Sequence, residues 1–435
     1  MKKNITIYLL LALACLGLQS CLFQEENYFD DSSANRATAD VNRCGELLKA
    51  APNGWVMEYY VGKDYSLGGI TLLCRFDGQR VTMASQMAEA DETVSSLYSV
   101  KSEQATMLSF DTYNYLVHYF GQPQGSMSDD PNGTLGGDYE FIISSASDER
   151  IELKGKKYGN RIVMKALSED QTWKQYLTKI KKVEDDAFFY EYDLLMDGLY
   201  TGQMLRSNYT FIVTDYDEIG KVHQKTVPFM FTADGMRFHE PVTIDGQTMQ
   251  NFVWKNEVIS FVCTDEGATG VKLAGVYTAG YQSYDYYPGT YQMDFYRLND
   301  ETQQLEVASQ EVRLLKNEDG KSYWLKGLEY DILVMFDKPR GGLSVSPQLL
   351  KKVQGGYVYL AMWDVMNDYV LRNKSIGLIS YATTNGIYLV DNGVWMGEVS
   401  GFIFGVYNSQ EEDAAFIGYT DAVASIRLVK KTIEE

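Results

Sequence analysis

The stretch GITLLCRFDGQRVTMAS, residues 69–85, decides the class of fold. Gly69 to Phe76 and Gln79 to Ser85 are rich in β-branched, aromatic and other apolar residues. Between them stands Asp77-Gly78, the strongest short-range signal for a tight hairpin. The pattern recurs along the chain. Trp55 to Val61, Tyr139 to Ser144, Arg150 to Lys154 and Arg161 to Leu167 read as strands. So do Tyr209 to Thr214, Val227 to Thr232, Met236 to His239, Phe252 to Trp254 and Val258 to Cys263, with turns at Asp234-Gly235 and Asp245-Gly246. Beyond about residue 290, strands repeat at roughly ten-residue spacing to Val429. The chain holds 33 Tyr, 19 Phe and 6 Trp against 8 Pro, a composition that suits pleated, half-buried strands.

Two segments break the pattern. Ser33 to Ala51 carries Val41, Cys44, Leu47 and Leu48 on one helical face and stops at Pro52-Asn53-Gly54. Glu169 to Glu184 carries Trp173, Tyr176, Leu177 and Ile180 on another. Met107 to Phe120 fits either a strand pair or a short helix. The expected architecture is mainly β: two β-sandwich or barrel-like domains, 34–265 and 275–435, with two short helices in the first. The Gly- and Tyr-rich segment 264–290 marks the boundary.

The N-terminus gives an address. Lys2 and Lys3 precede an apolar run from Ile5 to Leu18, too short for a helix that must cross a hydrocarbon core about 30 Å thick. This describes a secretory signal, residues 1–20. Leu18-Gln19-Ser20-Cys21 resembles a bacterial lipobox, which implies lipidation of Cys21 and cleavage before it. Cys15, preceded by Ala12-Leu13-Ala14, is the rival; it would shorten the apolar run and leave an apolar tail. Residues 21–33 read as an acidic tether, and Leu22-Phe23-Gln24-Glu25-Glu26 resembles the acidic export signal of Bacteroidetes lipoproteins. The resemblance implies a protein on the outer membrane, anchored by lipid and facing the cell exterior. No later run of apolar residues is long enough to span.

Charge narrows the partners. Asp and Glu number 59 against 39 Lys and Arg, a net charge of −20. A phosphate backbone would be repelled, so nucleic acid is excluded. Cys44, Cys74 and Cys263 remain after the signal. They allow at most one disulfide, form no CxxC pair and sit among apolar neighbours.

Catalytic motifs are missing. His118, His223 and His239 form no HExxH, and Pro241 follows His239-Glu240. No GxSxG elbow, P-loop or GxGxxG occurs. A carboxylate pair for glycoside hydrolysis obeys no spacing rule, so no catalytic residue is nominated. Asp129, Asp130, Asn132 and Asp138 lie in a glycine-bearing loop with oxygen ligands suited to calcium, although ordinary turn chemistry accounts for them equally well. No other cofactor is indicated. The remaining candidate is aromatic: Tyr281, Tyr284, Tyr286 and Tyr287 crowd one loop. Their rings either stack on sugar faces or seal the joint between two β-domains. Trp363 and Trp395, near turns, carry the same two readings.

Several phrases together carry a resemblance: Ala51-Pro52-Asn53-Gly54-Trp55 leading to Glu58-Tyr59-Tyr60, Ile151-Glu152-Leu153-Lys154-Gly155-Lys156, and Phe231-Thr232-Ala233-Asp234-Gly235-Met236. They resemble an uncharacterised family of Bacteroidetes surface lipoproteins, a domain of unknown function, over about residues 22–265. Phe336-Asp337, Gly341-Gly342-Leu343 and Pro347-Gln348 are similar to small β-domains of other Bacteroidetes surface proteins. The resemblance implies a binding or accessory protein beside an outer-membrane uptake complex, with glycan or glycopeptide as ligand. The alternatives are a secreted hydrolase and a structural or adhesive surface protein.

Overall fold

The computed structural model describes residues 32–123, 133–216, 222–299, 301–411 and 413–431. Helix α1 spans Ser33–Ala50; the Ser32 hydroxyl accepts the Asn35 amide at 3.1 Å and so caps its first turn. Its Cys44 and Leu48 are buried against the first of two closed barrels. That barrel is a run of eight antiparallel strands from Trp55–Val61 to Arg161–Ala166, and these two strands pair to close it. Within it, the undecided segment 107–120 resolves into both options: strand Thr106–Phe110 and the four-residue helix α2, Tyr115–His118.

Helix α3, Trp173–Asp186, begins with a capping box in which Thr172 and Gln175 satisfy each other's backbone amides. It leads into a second closed barrel of eight antiparallel strands. Glu191–Met196 pairs there with Val271–Val276 to close the ring. The expectation of a single β-domain over 34–265 is therefore corrected: the segment holds one barrel and most of another, whose last strand lies beyond residue 265. Strands Val94–Ser102, Glu191–Met196, Leu199–Ser207 and Val271–Val276 were not anticipated. The third unit is a sheet of twelve strands running from Gly289–Leu298 to Phe416–Lys430. These first and last strands pair with each other, so part of the sheet returns on itself.

The alternation of side chains explains how the barrels join. In Trp55–Val61 every residue is buried. Trp55, Met57, Tyr59 and Val61 point into the first barrel, whereas Val56 packs with the core of the second, together with Leu73 and Ala84. A strand covered on both faces reads as a continuous apolar run, and this one is broken only by Glu58. Gly68 marks a close approach. Its φ is 71°, and a Cβ there would stand 2.1 Å from the carbonyl oxygen of Tyr209 in the facing barrel.

Both barrel interiors are filled. Trp55, Tyr59, Phe110 and Phe141 fill the first, and Tyr192, Phe211, Phe229, Phe231 and Phe238 the second, all almost fully enclosed. Eight-stranded barrels have interiors of about the size that side chains alone can fill.

Candidate functional site

The tyrosine loop lies at the joint between the second barrel and the third unit. Tyr281 stacks on Phe188 at 6.0 Å, sealing the seam. Tyr287 is enclosed and its hydroxyl donates to the Gly341 carbonyl at 2.8 Å. The Tyr284 hydroxyl donates to the Ser322 carbonyl at 2.8 Å, and its ring stacks on Tyr323 at 4.7 Å. Tyr286 alone of the four is exposed, with the Lys430 ammonium over its ring at 5.1 Å. Tyr286 also meets the enclosed Tyr287 edge to face at 5.2 Å, so all four rings have packing partners within the joint and the adjoining core.

A different aromatic pair stands at the tip of the third unit. Strand Gly356–Asp364 turns back at Asp364–Asp368 into the short strand Tyr369–Leu371, and loop 392–399 lies beside that turn. Asp364 is fully enclosed and organises both loops. Its carboxylate accepts the Asn367 amide at 3.1 Å, the Asn367 side chain at 2.9 Å and the Trp395 indole N–H at 3.0 Å. The Asn367 side chain, more than any other group, holds this carboxyl below the usual range; burial opposes the shift and the Trp395 bond assists it. The Trp395 ring meets Tyr369 at 5.7 Å, edge to face. A Cβ at Gly397 would stand 2.2 Å from Asp364 Oδ2 and 2.7 Å from Trp395 Nε1, so a larger residue there would have to displace this hydrogen-bonded pair. Tyr369 is 55% exposed, Met366 85% and Met396 94%. Trp363, by contrast, is buried, and its indole nitrogen has no hydrogen-bond partner.

Asp129, Asp130 and Asn132 lie outside the described residues, as does Cys21. Asp138 is buried, and its carboxylate accepts the amides of Lys157 at 2.7 Å and Tyr158 at 3.1 Å. Burial raises its pKa, against the pull of those bonds. Among the described residues, no three His, Cys, Asp or Glu side chains gather as a metal site. Cys44, Cys74 and Cys263 are buried free thiols; burial pushes the Cys263 thiol up to about 11 and raises the other two. Among the described residues, no helix is long and apolar enough to cross a membrane.

His239 lies between Tyr60 and Tyr65, at 4.3 and 4.0 Å from their ring centres. Burial lowers its pKa, Arg237 and Arg161 add to the shift, and Glu240 opposes it. His118, stacked on Tyr139, is also lowered by burial. The unfolded chain then binds more protons than the folded one between the folded pKa values and about 6.5. Stability from these groups is fully present above that window and is lost as pH falls through it. The melting temperature should decline on acidification from pH 7.5 to 5, and a His118→Gln/His239→Gln variant should show a flatter profile. An identical slope in the variant would remove the histidines from the account.

The strand order defines a class: a mainly β protein with two consecutive closed antiparallel barrels followed by a larger sheet. The chain belongs to the family described as Domain of unknown function (DUF4302), whose model matches residues 25–256. A second Domain of unknown function (DUF4987) matches residues 264–404. The end of the first match falls inside the second barrel, before strands Ser260–Cys263 and Val271–Val276. No curated protein matches the chain. Among solved structures, a protein of unknown function of the DUF3598 family from Nostoc punctiforme is 8% identical. The alignment covers 56% of this chain and 98% of that one, with a TM-score of 0.14.

Proposed function

We propose that this protein captures glycan or glycopeptide at the cell surface, held to the outer membrane by lipid at Cys21, beside an uptake complex. The observation that carries the reading is the Trp395–Tyr369 platform. A sugar ring presents a face of C–H groups that packs on an aromatic face. Asp364 fixes the indole in advance, so little side-chain entropy is lost on binding. The filled barrel interiors support an external site. Acyl chains at Cys21, at about 0.8 kcal/mol per buried methylene, would hold the protein without any spanning helix.

The flanking Met366, Met396 and Val394 favour a second reading, docking of a protein partner, because exposed methionines adapt to apolar surfaces. A glycan and glycopeptide array probed with the full chain separates the two. A defined subset of glycans should bind. Trp395→Ala should weaken that binding about tenfold or more, a loss of about 1.4 kcal/mol per decade. Tyr286→Ala, at the other aromatic loop, should leave it unchanged. Glycan binding indifferent to Trp395→Ala would sink the platform. Absence of glycan binding would transfer the tip to a protein partner.

A further inference from the structure

We propose that the junction of the three units holds a second binding site, which takes the ring and carboxylate of an acidic sugar. A cavity of about 500 Å³ opens there, within the size range of small-molecule sites. Its walls come from α3 and the segment that follows it, from both barrels and from the third unit. Around the cavity the charge balance of the chain is reversed. Lys181, Arg206, Lys321 and Lys338 face it against only two carboxylates, Glu184 and Asp185, in a chain of net charge −20.

Both carboxylates are engaged. Lys338 Nζ lies 2.7 Å from Asp185, and Glu184 accepts the Tyr209 hydroxyl at 2.7 Å. Arg206 donates to the carbonyls of Ala187 at 2.6 Å and Asn208 at 3.0 Å, which anchors the guanidinium and leaves its charge. Among the described residues Lys181 and Lys321 have no ion pair, yet they approach one cavity from two different units. Like charges brought together in a partly enclosed space favour an anion between them. Gln86, also in the wall and almost fully enclosed, spends Oε1 on the Thr71 amide, and its side chain lies against the Tyr209 hydroxyl. Tyr190 adds a ring half open to solvent. An anion alone would satisfy the lysines, and a sugar ring adds a C–H face for Tyr190.

The proposal borrows from the capture reading only its ligand class, since the site shares no residue with the Trp395 platform. The test titrates the full chain with glucuronate, glucose and inorganic phosphate, followed by calorimetry or ligand-detected NMR. Glucuronate should bind. Glucose and phosphate, each filling half the site, should bind at least about tenfold more weakly, the scale of one charge-assisted hydrogen bond. Lys181→Gln and Lys321→Gln should each weaken glucuronate about tenfold. Trp395→Ala should leave this binding intact, so failure of the platform and failure of the junction are read separately. The proposal is overturned if glucuronate does not bind, if glucose or phosphate matches it, or if both lysine variants bind as the unaltered chain does.

Discussion

Trp55→Ala should cost the first barrel about 3–5 kcal/mol, the range for emptying a buried aromatic site. Trp55 is fully enclosed and begins the strand that closes the barrel, opposite Cys74 on one side and Ala166 on the other. Its indole N–H donates to the Leu48 carbonyl at 2.9 Å, satisfying a backbone acceptor in the last turn of α1. One side chain thus fills the core and ties the helix to it. Trp55→Phe keeps most of the volume and loses the bond, and should cost about 1–2 kcal/mol. Urea unfolding must be followed in a probe of the first barrel, because three units need not unfold as one. A loss below about 1.5 kcal/mol for Trp55→Ala would mean that α1 is not part of that cooperative unit.

What could be read from the sequence was local chemistry. The hairpin at 69–85 was legible because Asp77 makes the turn itself: its carboxylate accepts the amides of Gln79 at 2.8 Å and Arg80 at 2.6 Å. Helix α3 was legible because its stripe and its capping residues lie within a few positions of one another. The missed strand Val94–Ser102 has four serines and buries little besides Ser96 and Tyr98, so its place is set by neighbours rather than by its own pattern. Barrel closure was illegible for a related reason. Pairing Trp55–Val61 with Arg161–Ala166 leaves no mark in either segment.

The sites followed the same division. Composition pointed to the tyrosine loop, but whether a tyrosine meets solvent or core depends on distant acceptors such as Gly341 and Ser322. The sequence shows Trp395 near a turn. What fixes its ring is Asp364, 31 residues away, and nothing in the spacing links the two. The junction cavity draws on residues from Gln86 to Pro339 and has no signature in any one stretch.

Glu58→Leu should destabilise the packing of the two barrels by about 3–5 kcal/mol, although it replaces a carboxylate with an apolar residue in an apolar run. Glu58 is 8% exposed and stands where the outer wall of the first barrel meets the second. It accepts from Lys165 Nζ at 2.9 Å and from the Arg237 guanidinium across the interface. Burial works against the charge of Arg237, but attraction to Glu58 outweighs it and raises the guanidinium pKa. Without Glu58, Lys165 can turn to solvent, whereas Arg237, its side chain 21% exposed, stays mostly buried with its Nε already lacking a partner. The cost is that of an orphaned cation, not of a lost attraction. Glu58→Leu/Arg237→Met should therefore recover most of the stability, because removing both ions also removes both desolvation penalties. The four proteins form a double-mutant cycle in urea unfolding, and its coupling term is the quantity to read. If the double variant is as unstable as the single one, the ion pair is not what holds Glu58 in this strand, and its place must be explained by the cleft it lines.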